Sequence, residues 1–387
     1  MVYEPREDSF LLKKHIAEYA SGVVLDIGTG SGILAKEAQK TAETVFAVDI
    51  DQEAVSYAEK ALEGTDINVA KSDLFSYFSE KGIKFDLVIF NPPYLPDDER
   101  VKDIALDGGK KGYELIQRFL CSLSDYLKDD GKALILFSSL TGKNKIDEII
   151  MKNALRAKEL DSESLQFEKL YVYLIEKSSF LKEAHENGIK NIKYFTKGKR
   201  GIIFRGELEH LSVAIKAENP DSFAIGRIEH EADMLEAVNK HAIGPRLIFR
   251  GWGYIVYEFI EGVFLQWFLK HSPKEDIKEI LLDIFMQLAK LDELNINKEE
   301  MHHPVKHIIV GKRNVLLDFE RAHKAIKPQN ITQFCDFLMS DDIYSILKEK
   351  GFLFEKEALI EKAREYRLKG EKAEPLPIIN YVLEKDE

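Results

Sequence analysis

A short apolar segment that runs directly into three alternating glycines is the strongest constraint on the first part of this chain. Val23–Ile27 reads VVLDI, a continuous β-branched run typical of a strand buried on both faces of a parallel sheet. Gly28, Gly30 and Gly32 follow it, and Ile33–Gln39 then has a helical pattern. Glycines at such a turn let the backbone bend sharply and approach a ligand closely.

The same alternation of strands and helices continues to about residue 175. Further strands are predicted at Thr44–Val48, Ile67–Ala70, Phe85–Phe90, Ala133–Phe137 and Phe167–Ile175. Helices are predicted at Gln52–Leu62, Tyr113–Leu127 and Ile146–Ala157. This order predicts an α/β fold with a doubly wound, mainly parallel sheet, which binds ligands beyond the carboxyl ends of its strands.

The second part of the chain has a different pattern and predicts an α+β fold. Short strands are predicted at Ile202–Phe204, Ser212–Lys216, Arg246–Phe249 and Tyr254–Tyr257, with a helix at Glu229–Asn239. Helices dominate after Val263, most clearly at Ile277–Leu294 and Glu355–Arg367. We therefore expect a first domain at 1–177, a linker helix at 178–189 and a second domain at 190–387, with lobes 190–262 and 263–387.

Charge and cysteine content exclude several classes of function. The 387 residues carry 55 basic and 67 acidic side chains, a net charge of −12, of which −9 falls on residues 1–180. So acidic a chain is unsuited to holding a long duplex by phosphate attraction. Cys121 and Cys335 are too few for a disulfide framework or a structural zinc site. With no apolar run of membrane-spanning length, the sequence predicts a reduced, soluble, cytoplasmic protein without membrane association.

Acidic residues follow the first three strands at positions suited to a nucleoside. The loop Asp26–Gly32 has the spacing Gly-x-Gly-x-Gly, which differs from the dinucleotide fingerprint. Asp49 ends the second strand, where a carboxylate can accept both ribose hydroxyls, and Asp73 follows the third, where it can reach an adenine amino group. A simple tight connection is the alternative for the loop alone.

The segment Asn91-Pro92-Pro93-Tyr94 directly follows the fourth predicted strand. Proline stiffens the chain and has no N–H, so the Asn91 side-chain oxygen and the Pro92 carbonyl can both face inward as acceptors. Together they would hold the two N–H groups of a planar amine or amide, with Tyr94 against its plane. Catalysis would then rest on orientation and electrostatics. A proline-rich turn is the alternative.

These residues resemble the class I S-adenosylmethionine-dependent methyltransferases, and more narrowly the HemK family. The likeness covers residues 1–177 and rests on Val2–Ser9, Asp26–Gly32, Asn91–Tyr94 and Ala105–Tyr113. The resemblance implies a Rossmann-like sheet that binds S-adenosylmethionine. It implies donor binding by Asp26, Gly28, Gly30, Gly32, Asp49, Asp73 and Asn91, and catalysis by Asn91, Pro92 and Tyr94.

The family resemblance also implies a substrate and a partner. The short N-terminal extension resembles the archaeal and eukaryotic branch, in which the reaction is N5-methylation of the glutamine in the Gly-Gly-Gln motif of a class-I translation release factor. A small zinc-binding activator protein is the usual partner there. Adenine and guanine amino-methyltransferases share the Asn-Pro-Pro-Tyr motif and remain the alternative. The acidic first part favours a protein substrate, with nucleic acid contacted weakly or indirectly.

In the second part Lys216 ends a predicted strand, Glu231 and Glu229 lie on the next predicted helix, and Asp318 lies in Val315–Ala322. With segments 196–204 and 257–262, these residues resemble the compact RIO-type or KEOPS-complex-type kinases over about 190–345. The resemblance implies that Lys216 is the ATP-phosphate lysine with Glu231 or Glu229 as its partner, and that Asp318 is a magnesium ligand. It also implies that 196–204 is a shortened phosphate-covering turn and that 257–262 is a hinge.

The kinase resemblance breaks down at the catalytic loop. The motif His-x-Asp-x-x-x-x-Asn is missing, and anchoring on Ile308-Ile309 puts His302 and His307 at the Asp and Asn positions. Glu299 or Glu300 is the alternative base. The second part is therefore expected to bind ATP and Mg²⁺, and a non-catalytic scaffold is the alternative to a kinase that phosphorylates protein.

Overall fold

The strand and helix segments of the first half form a seven-stranded sheet in this computed structural model, which describes residues 4–94, 111–198, 201–219, 227–369 and 374–384. The chain divides into an N-terminal unit, Met1–Asn187, and a C-terminal unit, Gly188–Glu387. The predicted linker segment 178–189 holds a helix, Ser179–Glu186, that belongs to the N-terminal unit.

The N-terminal unit has a mixed sheet in the spatial order β3-β2-β1-β4-β5-β7-β6. Its strands are β1 (Val23–Ile27), β2 (Thr44–Asp49), β3 (Asn68–Lys71), β4 (Phe85–Phe90), β5 (Leu127–Ser138), β6 (Leu155–Ser164) and β7 (Lys169–Lys177). Strands β1 to β5 pair in parallel, and β7 is antiparallel to both β5 and β6. The helices are α1 (Glu7–Tyr19), α2 (Ile33–Ala38), α3 (Gln52–Ala61), α4 (Glu114–Tyr126), α5 (Lys143–Lys152) and α6 (Ser179–Glu186).

Both faces of this sheet are covered, as its apolar strands require. Successive side chains of β1 point to opposite faces. Val24 packs in a cluster with Leu12 of α1, and Leu25 packs in another with Phe119 of α4. All four side chains are fully buried. The arrangement confirms the predicted doubly wound, mainly parallel sheet.

One predicted helix is wrong at its end. Ile146–Ala157 was expected to be helical throughout, but α5 ends at Lys152 and β6 begins at Leu155. Strand β6 lies at the edge of the sheet, pairs with β7, and is mostly exposed. Its sequence, LRAKELDSES, therefore lacks the apolar alternation by which strands are recognised.

The C-terminal unit contains a five-stranded antiparallel sheet in the order β11-β12-β10-β9-β8. Its strands are β8 (Ile189–Lys197), β9 (Gly201–Leu208), β10 (Leu211–Glu218), β11 (Leu247–Gly251) and β12 (Tyr254–Glu258). Helix α7 (Arg227–Asn239) packs on this sheet. Strand β8 was not predicted, because its sequence, IKNIKYFTK, is largely polar.

Helices and two small sheets make up the rest of this unit. One sheet pairs β13 (Gly262–Phe264), β15 (Ile308–Gly311) and β16 (Val315–Leu316), and the other pairs β14 (Ile296–Asn297) with β17 (His323–Lys324). The helices are α8 (Leu265–His271), α9 (Lys274–Glu293), α10 (Asn330–Met339), α11 (Asp341–Glu349), α12 (Lys356–Lys369) and α13 (Leu376–Leu383). Helix α9 buries one stripe at helical spacing, and its Phe285 meets Phe334 of α10 edge to face at 5.1 Å. Among the described residues, no helix combines the length and apolar character needed to cross a bilayer.

Replacing Gly22 with alanine should destabilise the N-terminal unit by about 1–3 kcal/mol, because residue 22 has a left-handed φ of +56°. An added Cβ would also overlap the Asp86 carboxylate, which accepts from Val23 N and Lys128 Nζ, both at 2.7 Å. Urea unfolding of the full chain measures the loss. Gly64→Ala is the matched control, since its φ is +80° but, apart from the two neighbouring residues, no atom of the described residues lies within 4 Å of the added Cβ. Equal losses in the two variants would mean that the overlap has no cost.

Candidate functional site

The loop between β1 and α2 has the backbone that its glycines allow. Gly28, Gly30 and Gly32 have φ angles of +66°, +48° and +78°, a region that side-chain-bearing residues rarely adopt. Thr29 N donates to Val48 O of β2 at 3.0 Å, which fixes the loop at the carboxyl edge of the sheet. This concave backbone is suited to close contact with a ligand.

Asp26 anchors this loop from inside the sheet. Its Oδ2 accepts from Thr29 Oγ1 at 2.7 Å and from Ala35 N of α2 at 3.1 Å. The residue is fully buried, and this burial raises the pKa of the Asp26 carboxyl to about 7. Its Oδ1 is also buried and has no hydrogen-bond partner within the described ranges.

The two other acidic residues predicted for the site have different surroundings. Asp49 Oδ2 accepts from Gly30 N at 3.1 Å, so the end of β2 is tied to the glycine loop. Burial raises the pKa of Asp49. Asp73 is more exposed and forms an ion pair with Arg118 Nη2 of α4 at 2.8 Å. An adenine amino group would compete with Arg118 for Asp73, and no sequence signal marked Arg118.

Asn91 follows β4 and is held by the start of α1. Its Nδ2 donates to Asp8 Oδ2 at 3.0 Å and to Ser9 Oγ at 3.4 Å. Asp8 and Ser9 are 5% and 4% exposed. The Asn91 Oδ1 atom is buried and has no hydrogen-bond partner in the described part of the chain. The fold thus occupies the donor end of the amide and leaves its acceptor end free.

The residues around Asn91 shape the rest of this edge. Pro92 is buried, and Tyr94 is half-buried against the apolar cluster that contains Leu11 of α1. Sequence reasoning did not identify Asp8 and Ser9 as partners of Asn91, although the Val2–Ser9 segment was singled out. Residues 1–3 and 95–110, which include most of the Ala105–Tyr113 segment, lie outside the described residues.

Comparison with known proteins shows the family to which the N-terminal unit is similar. Residues 7–170 match the family described as methyltransferase small domain. Over 152 residues the chain is 41% identical to a protein of Methanocaldococcus jannaschii named as a candidate protein N5-glutamine methyltransferase, covering 37% of this chain and 76% of that protein. The chain belongs to this methyltransferase family. It is an S-adenosylmethionine-dependent methyltransferase.

Two further relatives are similar to parts of this methyltransferase. A release factor glutamine methyltransferase of Bacillus anthracis is 32% identical over 136 residues, which is 32% of this chain and 47% of that protein. The chain thus spans about half the length of that relative. The E. cuniculi Mtq2–Trm112 complex, described as responsible for methylating the eRF1 translation termination factor, covers 46% of this chain and 99% of its own at 26% identity and a TM-score of 0.38.

The C-terminal unit of the methyltransferase contains a second cluster of buried charges. Lys216 of β10 is 7% exposed, and its Nζ lies 2.6 Å from Glu231 Oε2 and 3.1 Å from Asp318 Oδ1. Glu231, rather than Glu229, is therefore the partner on α7. Burial disfavours the charge on Lys216, but the two carboxylates outweigh this effect and raise the pKa of Lys216.

Asp318 is held in an unusual backbone conformation by a buried lysine. Its φ is +62°, and Lys298 Nζ donates to the Asp318 carbonyl oxygen at 2.7 Å. Lys298 is fully buried, 5.0 Å from the centroid of the Phe319 ring. Burial opposes the Asp318 charge, but Lys216 and Lys298 lower the pKa of Asp318 to about 2. The carboxylate is therefore ionised at neutral pH.

The segment predicted to stand at the position of a kinase catalytic loop is arranged differently from the prediction. His302 is exposed, with its ring nitrogen 3.0 Å from Glu299 O, so it does not occupy the expected Asp position. Glu300 instead shares a cavity with Lys216 and Asp318, and its Oε2 lies 3.5 Å from Lys298 Nζ. His307 Nδ1 is 3.9 Å from Asp318 Oδ2, and burial lowers the pKa of His307 to about 4.

This cavity has a volume of about 1220 Å³. Its lining includes Gly198 and Gly201 of the predicted phosphate-covering turn and Tyr257 and Phe259 of the predicted hinge. Lys199 and Arg200 of that turn lie outside the described residues. Carboxylate oxygens of Glu231, Asp318 and Glu320 lie within 4.8 Å of one another beside Lys216, and oxygen ligands of this kind suit Mg²⁺. The geometry combines an aromatic wall, a buried cation and a carboxylate cluster.

The raised pKa of Asp26 predicts a pH-dependent contribution to stability. An unfolded Asp titrates near about 4, so between about pH 4 and 7 the folded chain binds more protons at residue 26 than the unfolded chain. The free energy of unfolding contributed by this group therefore falls as pH rises through that window. The free energy of unfolding of Asp26→Asn, compared with that of wild type, should therefore increase as the pH is raised from 4.5 to 7.5. Urea unfolding at several pH values measures this difference, and a difference that stays constant across the range would contradict the assignment.

Proposed function

We propose that the N-terminal unit transfers the methyl group of S-adenosylmethionine to N5 of the glutamine in the Gly-Gly-Gln motif of a class-I translation release factor. The proposal rests on the buried Oδ1 of Asn91, which has no hydrogen-bond partner among the residues that the structure describes. With the Asn91 nitrogen bound to Asp8, the oxygen is presented as an acceptor for an amide N–H. The relatives named for glutamine methylation support the same acceptor.

The residues of the site would act by orientation. Asn91 Oδ1 and the Pro92 carbonyl would each accept one N–H of the glutamine amide, and Tyr94 would pack against the plane of the amide. Bound S-adenosylmethionine supplies an electrophilic methyl group. We propose that donor binding involves Asp26, Gly28, Gly30, Gly32, Asp49 and Asp73. Holding the nitrogen in line with the methyl group lowers the barrier without a covalent enzyme intermediate.

The other parts of this proposal follow from the family resemblance and the charge. A small zinc-binding activator protein is the proposed partner, and a cytoplasmic location stays a prediction. An adenine or guanine amino group is the alternative acceptor, because it also presents N–H groups in a plane. The net charge of −9 on residues 1–180 favours a protein substrate and leaves nucleic acid a weak or indirect contact.

Replacing Asn91 with alanine should reduce methyl transfer by about 10²-fold or more, because the acceptor amide loses its orienting oxygen. Donor binding should stay nearly unchanged. Labelled S-adenosylmethionine, offered with purified release factor or with total RNA and DNA, measures transfer, and calorimetry measures donor affinity. Asn187→Ala, at an exposed residue of the same unit, is the matched control. Near-normal turnover by Asn91→Ala would contradict the mechanism, and label in RNA or DNA alone would contradict the substrate.

We propose a second function for the C-terminal unit, namely binding of ATP with Mg²⁺ as in atypical kinases. The observation that favours it is the convergence of Lys216, Glu231 and Asp318 on one cavity. Lys216 would contact phosphate oxygens, and Asp318 would be the magnesium ligand. Glu300 lines the same cavity, and burial raises the pKa of its carboxyl, which suits a base for an acceptor hydroxyl. A non-catalytic scaffold is the alternative.

Asp318→Asn should weaken binding of ATP in the presence of Mg²⁺ by at least about tenfold, because the metal loses a charged oxygen ligand. Glu300→Gln should keep ATP affinity but lose phosphoryl transfer. Calorimetry and labelled ATP on the full chain measure the two effects, with exposed Glu299→Gln as the control. Tight ATP binding without transfer by wild type would favour the scaffold, and unchanged affinity of Asp318→Asn would contradict the site.

A further inference from the structure

The start of helix α1 places a carboxylate directly against the residue that is expected to orient the acceptor. Asp8 lies in the first turn of α1, and its Oδ1 accepts from Ser9 N at 2.6 Å. Its Oδ2 accepts from Asn91 Nδ2 at 3.0 Å, and Ser9 Oγ lies 3.4 Å from the same nitrogen. Asp8 and Ser9 are nearly inaccessible to solvent. Two residues 82 and 83 positions before Asn91 thus surround one end of its side chain.

An asparagine side chain has a donor end and an acceptor end of almost equal shape. Asp8 Oδ2 accepts from the nitrogen of Asn91, so the nitrogen of the Asn91 amide lies on the side of Asp8. The oxygen of Asn91 is then turned to the opposite side, where it is buried without a partner in the described residues. A buried acceptor without a donor is unfavourable, and a bound N–H group would remove that penalty.

We propose that Asp8 is a positioning residue that fixes the Asn91 side chain with its oxygen toward the acceptor nitrogen, assisted by Ser9. This inference rests on the proposed function and deepens it. In this proposal Asp8 acts through its hydrogen bond to Asn91. The arrangement selects acceptors that carry N–H groups: a glutamine amide satisfies Asn91 Oδ1, whereas a glutamate carboxylate would face it with another oxygen.

Exchanging the two residues tests this arrangement without changing the atoms present. In Asp8→Asn the amide of Asn91 can rotate, and in Asn91→Asp two carboxylates face each other. Each change should lower kcat for release factor by about 10- to 100-fold through misorientation. In the double variant Asp8→Asn/Asn91→Asp the new asparagine can donate to the new aspartate, whose second oxygen again accepts from the substrate. The double variant should therefore recover at least tenfold over either single variant.

The controls separate positioning from general damage to the fold. Donor affinity should change less than twofold in Asp8→Asn, and exposed Glu18→Gln, on the same helix, should keep full activity. A double variant that is no better than the single variants would overturn the inference. So would normal turnover by Asp8→Asn.

An NMR measurement distinguishes failure of this inference from failure of the proposed function. If wild type does not methylate release factor, the proposed function fails, but the contact can still be measured. In ¹⁵N-labelled protein, the side-chain NH₂ signal of Asn91 should shift in Asp8→Asn and stay in place in Glu18→Gln. An Asn91 signal that does not respond to Asp8→Asn would overturn the positioning role, whatever the substrate.

Discussion

Burial of the central parallel strands between two apolar layers is the constraint on which the N-terminal unit depends. Strands β1 and β4 place their side chains alternately in the two clusters, so a slip by one residue would move every side chain of the strand into the cluster on the opposite face. The register then fixes where each strand ends. Asp26, Asp49 and Asn91 meet at one edge because the strands that carry them are neighbours and run in the same direction.

In each unit a buried charged residue forms a hydrogen bond that holds a residue of the candidate site in place. In the N-terminal unit Asp8 binds the nitrogen of Asn91, and in the C-terminal unit Lys298 binds the carbonyl oxygen of Asp318. The Asn91 oxygen then has no partner among the described residues, whereas the Asp318 carboxylate also pairs with Lys216. Removing water from such pairs strengthens their hydrogen bonds and limits the number of arrangements that the loop can adopt.

The sequence predicted what apolar pattern and glycine spacing determine, which includes the parallel strands and the loop after β1. It did not predict β6 or β8, because edge strands that face solvent need no apolar alternation. It also missed contacts between distant segments. Arg118 reaches Asp73 across 45 residues, and Asp8 reaches Asn91 across 83, and neither pairing leaves a local pattern. In the C-terminal unit, counting back from Ile308 favoured His302, whereas the 3₁₀ turn at Glu300–His302 leaves Glu300 on the cavity.

The polar sequence of β6, which prevented its prediction, also affects the tendency of the protein to aggregate in concentrated solution. An outer strand offers unpaired N–H and C=O groups to any other chain that approaches it, and charged side chains along it discourage such pairing. Strand β6 presents Arg156, Lys158 and Glu159 to solvent, and β8 of the C-terminal unit presents Lys190, Lys193 and Lys197. At the opposite edge of the N-terminal sheet, β3 is four residues long. The charged edge strands β6 and β8 and the short edge strand β3 therefore disfavour edge-to-edge aggregation of the two sheets.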